Sequence, residues 1–327
     1  MNKRRKIILA LGASALASPL SLFAQPATKV WRIGFLGAAS ASGYVKEVEA
    51  IRAGLRDLGY VENKNIVIEF RWAENDPERL KAMAAELIAL KPDVIITHAV
   101  LGTRAVAQAT KTIPIVIADG PDPVAMGFAA SLARPGGNIT GSTSFQTEIT
   151  AKRFELLTEM VPRIKRVALL FNPLNPGFAI IRPAMEAAAK QVKVELHQFS
   201  AKGPEEFPAA FAAMAKKRVD AAVIAEDPLF NANIGAIAAL AASHRLPASG
   251  ITTLADAGGL LGYGANRQVV YGRAAYFIDK ILKGAKPGDI PFERATKFDL
   301  IINLKTAKTL GIKIPQQVLQ RADRVIE

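Results

Sequence analysis

Residues 76–99 read DPERLKAMAAELIALKPDVIITHA, and this stretch decides the fold. Asp76 before Pro77 is a helix start, with the side chain ready to cap and Pro at the first helical position. Leu80, Met83, Ala84, Leu87 and Ile88 then recur at i, i+3, i+4, i+7 and i+8, one apolar face of a helix. Lys91-Pro92-Asp93 breaks the helix, and Val94–Thr97 follows as a short apolar run. Such a run suits a strand covered by helices on both faces. Helix leading into buried strand is the unit of a parallel α/β sheet.

The unit repeats along the chain. Trp31–Leu36 (WRIGFL), Ile66–Phe70 and Ile113–Ala118 read as further strands, with a helix from about Tyr44 to Leu58. The pattern then begins again. RVALLF (166–171) has the character of the first strand. Phe207, Ala210, Phe211, Met214 and Ala215 repeat the spacing of the Leu80 helix, again behind a proline, Pro204. That helix leads through Arg218-Val219-Asp220 into AAVIAED, as the first leads through Lys91-Pro92-Asp93 into VIITHA. Two lobes of similar architecture in tandem are expected. The turn-rich ARPGGNITG (133–141) and GGLLGYG (258–264) mark the breaks, with one long helix expected from about Gln268 to Lys283. Residues 29–141 with 267–297 are expected to form one lobe, and 142–266 with 298–327 the other. The fold class is thus α/β, two doubly wound parallel-sheet lobes joined by a hinge, and hinge closure on a solute belongs to that architecture.

The first 24 residues are an address. Lys3, Arg4, Arg5 and Lys6 precede an apolar stretch from Ile7 to Ala17 and small residues ending at Ala24. This is the anatomy of a secretory signal peptide, and the apolar part is short for a membrane span. The mature protein is expected to be soluble and periplasmic. Removing the segment lowers the formal net charge from +13 to +9. The remaining Lys and Arg are scattered rather than striped along one element, so nucleic acid is not an expected partner. The chain has no Cys, which excludes disulfides, thiolate metal sites and a cysteine nucleophile.

No G-x-S-x-G elbow, H-E-x-x-H helix or P-loop occurs, and His98, His197 and His244 are far apart. Neither an enzyme nor a cofactor or metal is indicated. Ligands in doubly wound sheets sit beyond the carboxyl ends of the strands, and that rule selects the candidates. Ser40 and Ser42 follow the first strand, where hydroxyls and free N–H groups at a helix start suit an anion or simply cap the helix. His98 follows the third. Asp119-Gly-Pro-Asp-Pro-Val124 follows the fourth and offers two carboxylates, of which Asp122 is the candidate. Asn172 and Asp227 end strands of the second lobe, each before a proline, so each either caps a turn or faces a ligand. Tyr263 would supply an aromatic wall or pack at the hinge.

The strings DLGYVENKNIVIEFRWAE (57–74), SLARPGGNITG (131–141), FNPLNP (171–176), AEDPLF (225–230) and TKFDLIINLKTAKTLGIKIP (296–315) resemble the tryptophan-binding-like ABC transporter substrate-binding family. The resemblance runs from about Val30 to Glu327. It implies a type I periplasmic binding-protein fold with three crossings between lobes. It also implies delivery of an amino-acid-like or aromatic solute to a membrane permease and its ATPase by a monomeric receptor. Ser40 matches a serine usual in that family, Asp122 its Asp-Pro-Val motif, Asn172 its Asn-Pro and Asp227 its Asp-Pro. The chain departs from the pattern at His98-Ala99-Val100, where many members carry Ser/Thr-Gly-Thr. It departs again at Ser249-Gly250-Ile251-Thr252, where an aromatic is common, and at Gly262, where Ser is. The pocket is therefore expected to be retuned. An extracytoplasmic ligand sensor without transport fits the same lobes, since fold does not imply function.

Overall fold

The computed structural model describes residues 29–161 and 163–327. The expected signal peptide, 1–24, lies outside the described residues. From Trp31 onward the strands form a six-stranded and a seven-stranded sheet. The first has the order β11-β5-β4-β3-β1-β2, with β1 (Trp31–Gly37), β2 (Ile66–Trp72), β3 (Val94–Thr97), β4 (Ile115–Ile117), β5 (Ile139–Thr143) and β11 (Glu293–Arg294). Every pairing in it is parallel. The second has the order β13-β12-β10-β9-β8-β6-β7, with β6 (Arg166–Phe171), β7 (Glu195–Ser200), β8 (Ala221–Ile224), β9 (Ala248–Gly250), β10 (Leu261–Ala265), β12 (Phe298–Asn303) and β13 (Arg324–Ile326).

Burial explains why these runs are strands. Successive side chains of a strand point to opposite faces, and here both faces are covered. Phe35 and Ile96 pack against Val48, Ile51 and Leu55 of the Val45–Asp57 helix and Phe277 and Ile278 of the Ala274–Leu282 helix. Leu36 and Ile95 pack on the other side against Leu80, Ala84 and Leu87 of the Pro77–Ala89 helix. The second sheet divides in the same way. Val167 and Leu169 face Phe154, Leu157 and Met185, while Ala168 and Leu170 face Phe207, Phe211 and Met214.

The second sheet corrects one expectation. β12 runs antiparallel to β10, and β13 follows β12 in parallel, so this sheet is mixed rather than wholly parallel. The chain arrives at β12 directly from β11 in the other sheet, without a helical crossover that would return it to the starting end. The chain passes between the sheets after Thr143, after Ala265 and between Arg294 and Phe298. The single helix expected over 268–283 is two, Arg267–Gly272 and Ala274–Leu282, meeting at Arg273. No helix among the described residues is long and apolar enough to cross a membrane.

The repeated Lys/Arg-x-Asp breaks have a shared structural purpose. The Asp93 carboxylate accepts a hydrogen bond from Arg32 N at 2.8 Å, and the Asp93 N–H donates to Arg32 O at 2.8 Å. In the second sheet Asp220 accepts from Lys165 N and Arg166 N, both at 2.8 Å, and its own N–H donates to Arg166 O. Each aspartate thus pins the start of its neighbouring strand. Asp220→Ala is expected to destabilise the protein by about 1–3 kcal/mol, because two backbone donors lose their acceptor. Asp220→Asn, which keeps an acceptor oxygen, should cost less. Urea unfolding of the two variants measures both, and equal losses would contradict the pinning role.

Candidate functional site

The carboxyl ends of β1, β3 and β4 in the first sheet face those of β6 and β8 in the second. Between them lie two adjoining small cavities that share Val100, Gln146, Asn175, Glu226 and Asp227 in their walls. One continues over Met126, Phe171, Asn172 and Phe178. The other continues over Tyr44, His98, Asp119, Asn231, Arg267 and Tyr271. They leave only about 10 and 20 Å3 for water centres, where a single water needs ~10–15 Å3 by the same measure. The lobes are therefore drawn together. Two glycines permit that approach. A Cβ on Gly43 would stand 2.6 Å from Ala232 Cα across the gap, and one on Gly177 2.8 Å from the Val100 side chain.

On the second-lobe side the chemistry centres on Asp227. Its carboxylate accepts from Asn172 Nδ2 (3.1 Å), Asn175 Nδ2 (2.7 Å) and Leu229 N (2.9 Å), and the residue is 3% exposed. Burial pushes its pKa up, and the three hydrogen bonds pull against that. Asn172 and Asn175 spend their oxygens on Leu174 N and Gly177 N, so the amides are fixed in orientation. Asp227 also caps the Pro228–Ala232 helix. Capping and lining the cavity are compatible here. Beside it, Glu226 reaches the fully buried Arg153, whose Nη2 lies 3.4 Å from Glu226 Oε2 and whose Nε donates to Tyr263 O at 2.7 Å.

On the first-lobe side His98 sits in an aromatic nest, 4.4 Å from the Tyr44 ring and 6.0 Å from Tyr271 by centroids. Burial, and then the nearby Arg267 charge, lower its pKa to about 3, so the imidazole is neutral, and its Nε2 has no hydrogen-bond partner. Ala99 follows in a left-handed conformation, φ 57°, the region glycine favours. Its N–H donates to Asp119 O at 2.9 Å, which ties the two strand ends together. Asp119 is buried with Oδ1 unpartnered. Burial and the facing Glu226 raise its pKa to about 7. Arg267 pairs with Glu47 at 2.8 Å and lies over the Tyr44 and Tyr271 rings at 5.2 and 5.3 Å.

Of the residues singled out in the sequence, His98, Asn172 and Asp227 are brought together in the walls of this space. Ser40, Ser42, Asp122 and Tyr263 are not. The Ser40 and Ser42 hydroxyls lie 3.2 Å from each other, and Ser40 makes no side-chain cap. Asp122 turns back to accept from Val124 N (2.8 Å) and Ala125 N (3.3 Å). Tyr263 stacks on Phe298 within the second lobe and serves Arg153 through its carbonyl. Sequence reasoning passed over Asp119 and Glu226, although both stand two residues beyond a strand end, where the same rule applies. It had no means to find Tyr44, Arg267 and Tyr271, which come from the Ala41–Tyr44 turn and the Arg267–Gly272 helix.

The family model described as ABC transporter substrate binding protein matches residues 33–326. The chain is similar to a tyrosine-binding protein of Clostridioides difficile, at 25% identity over 83% of this chain and 76% of the relative. Among solved structures it is similar to an ABC domain in complex with L-Trp from Streptococcus pneumoniae. That likeness has 25% identity and a TM-score of 0.83, over 91% of this chain and all of the other. A conserved domain protein from Vibrio cholerae matches at 26% identity and a TM-score of 0.85 over the same shares. The architecture is that of the type I periplasmic binding proteins.

The two displaced titrations have opposite consequences for stability. His98 falls from 6.5 unfolded to about 3 folded, so its contribution is present above pH 6.5 and lost as pH falls toward 3. Asp119 rises from 3.8 to about 7, so its contribution is present below pH 3.8 and lost as pH rises through 7. Each slope is at most about 1.4 kcal/mol per pH unit. Relative to the wild type, Asp119→Asn should therefore gain stability as pH rises from 4 to 7. His98→Gln should lose relative stability as pH rises from 3 to 6.5. Urea midpoints across that range check both, and differences independent of pH would contradict the burial of these groups.

Proposed function

The chain belongs to the ABC transporter substrate-binding protein family, and from that membership we propose that it captures a small solute between its lobes for an ABC importer. In this reading it acts as a monomer outside the cytoplasm, closes about the three crossings and presents the solute to a membrane permease. Residues 29–141 with 267–297 act as one lobe and 142–266 with 298–327 as the other. The solute is amino-acid-like or aromatic, in keeping with the L-Trp and tyrosine named for two similar proteins. It binds without metal or cofactor, and the chain catalyses no reaction.

The observation that carries the reading is the meeting of oriented polar groups, most of them buried, from both lobes around two adjoining small cavities. Asp227, Asn172 and Asn175 come from one side, and His98 and Asp119 from the other. Structural caps have no need to face a shared space, and ligand sites place a few fixed polar groups in a mostly apolar cleft. Phe171 and Phe178, stacked at 3.9 Å between centroids, with Val100 and Met126, supply the apolar part. Ser40, Ser42, Asp122 and Tyr263 do not line these cavities; their part in binding rests on their place after strand ends, or at the 258–264 break for Tyr263, and, for Ser40 and Asp122, on the family resemblance.

A thermal-shift screen of amino acids and aromatic solutes tests the reading. A ligand at 100 times its Kd should add about 2.7 kcal/mol of stability. Asp227→Ala should then weaken the solute found by about 2–5 kcal/mol in calorimetry, while the unfolding transition stays cooperative. Unchanged affinity would return Asp227 to the role of a helix cap.

A further inference from the structure

We infer that the solute carries a protonated amine and no free carboxylate, with Asp119 and Asp227 as its counter-ions from opposite lobes. The inference rests on the cleft reading above and adds the solute's chemical class.

Charge at this space is nearly balanced without a solute. Among the described residues one cationic side chain, Arg267, lines it and a second, Arg153, stands behind its wall, and each is already matched. Arg267 lines the space but is paired to Glu47 at 2.8 Å and lies over two tyrosine rings. Arg153 stands behind the wall against Glu226. Setting those pairs aside leaves Asp119 and Asp227, both buried; burial raises both pKa values, and a cation seated between them favours their ionised forms. His98 does not supply one, because burial keeps the imidazole neutral.

A carboxylate out of water is costly unless charge or donors compensate it. Asp227 has three donors from its own lobe. Asp119 has none on Oδ1, and His98 Nε2 beside it is likewise unpartnered. Both residues line the same space and are buried, His98 at 1% and Asp119 at 5% exposure. An ammonium offers three N–H donors and a positive charge. It satisfies Asp119 and the neutral imidazole from one side and Asp227 from the other.

The same walls disfavour an anion. Ionised Asp119 and Asp227 would repel a carboxylate, while Arg267 and Arg153 are committed to Glu47 and Glu226. In an α-amino acid the carboxylate and the ammonium share one carbon, so seating the ammonium places the carboxylate among the same acids. The apolar part of the solute lies toward Val100, Met126 and Phe178, which suits an arylalkylamine.

Calorimetry with matched pairs tests this on the wild-type protein: tryptamine against L-tryptophan and tyramine against L-tyrosine, with myo-inositol as a neutral polyol. Each amine is expected to bind at least tenfold more tightly than its α-carboxylated partner. Asp119→Asn should cut that preference at least tenfold. Equal or tighter binding of the amino acids would overturn the inference, meaning that Arg267 leaves Glu47 to hold the carboxylate. Tighter binding of inositol would overturn it in favour of hydroxyl donors. In either case loss of that binding in Asp227→Ala leaves the cleft reading standing. Binding of the whole panel that ignores Asp227→Ala, or no binding at all, removes the cleft reading and this inference with it. The wild-type comparison decides even if Asp119→Asn folds poorly.

Discussion

Both faces of each sheet lie beneath helices, and polar strand residues therefore have few places to go other than the strand ends. Everything at the candidate site follows from that constraint. The apolar runs VIIT and AAVI are buried throughout, and the first strongly polar side chains after them are His98, Glu226 and Asp227. Turning the carboxyl ends of two such sheets toward each other gathers buried polar groups from distant parts of the chain into one small space. Backbone and side-chain donors then have to be found locally, which the Asn-Pro and Asp-Pro turns supply. The Asn172, Asn175 and Asp227 network satisfies itself before any solute arrives.

The first-lobe side is less self-sufficient. Asp119 and His98 are buried with an unpartnered atom each, and Ala99 holds a backbone conformation usually given to glycine. Such features are uncommon in packed interiors and concentrate at functional sites. The lobes meet over them through Gly43 and Gly177, where a side chain would stand inside contact distance of the opposite wall. The polar groups of the two lobes share one space only where the lobes meet.

The fold was legible from the sequence because its information is periodic. The Leu80 and Phe207 helices, the buried runs after them and the aspartates between them carry the two-lobe plan in residue spacing alone. The reversal of β12 was not legible, since FDLIIN has the same apolar character in either direction. At the site, the strand-end rule chose the right loops but not always the right side chain. Asp122 is flanked by prolines and folds back on its own turn, while Asp119, three residues earlier, stays in the cleft. Tyr263 lies on a strand whose side chain joins its own lobe's core. Tyr44, Arg267 and Tyr271 were hidden because aromatic and basic residues near helix starts read as packing and solvated charge. Their mutual stacking is a property of tertiary placement.

The central claim is that a solute lies between the lobes and holds them together. The chain has no Cys, so cysteines placed at Val45 and Leu174, both exposed and on opposite lobes, would carry spin labels without background. With room between the lobes for about a water at each cavity, any larger solute enters only through a more open form. Pulsed dipolar distance measurement should therefore show a longer, broader distribution in the free protein that collapses to a single shorter distance at saturating solute. Identical distributions with and without a solute that demonstrably binds would contradict the account.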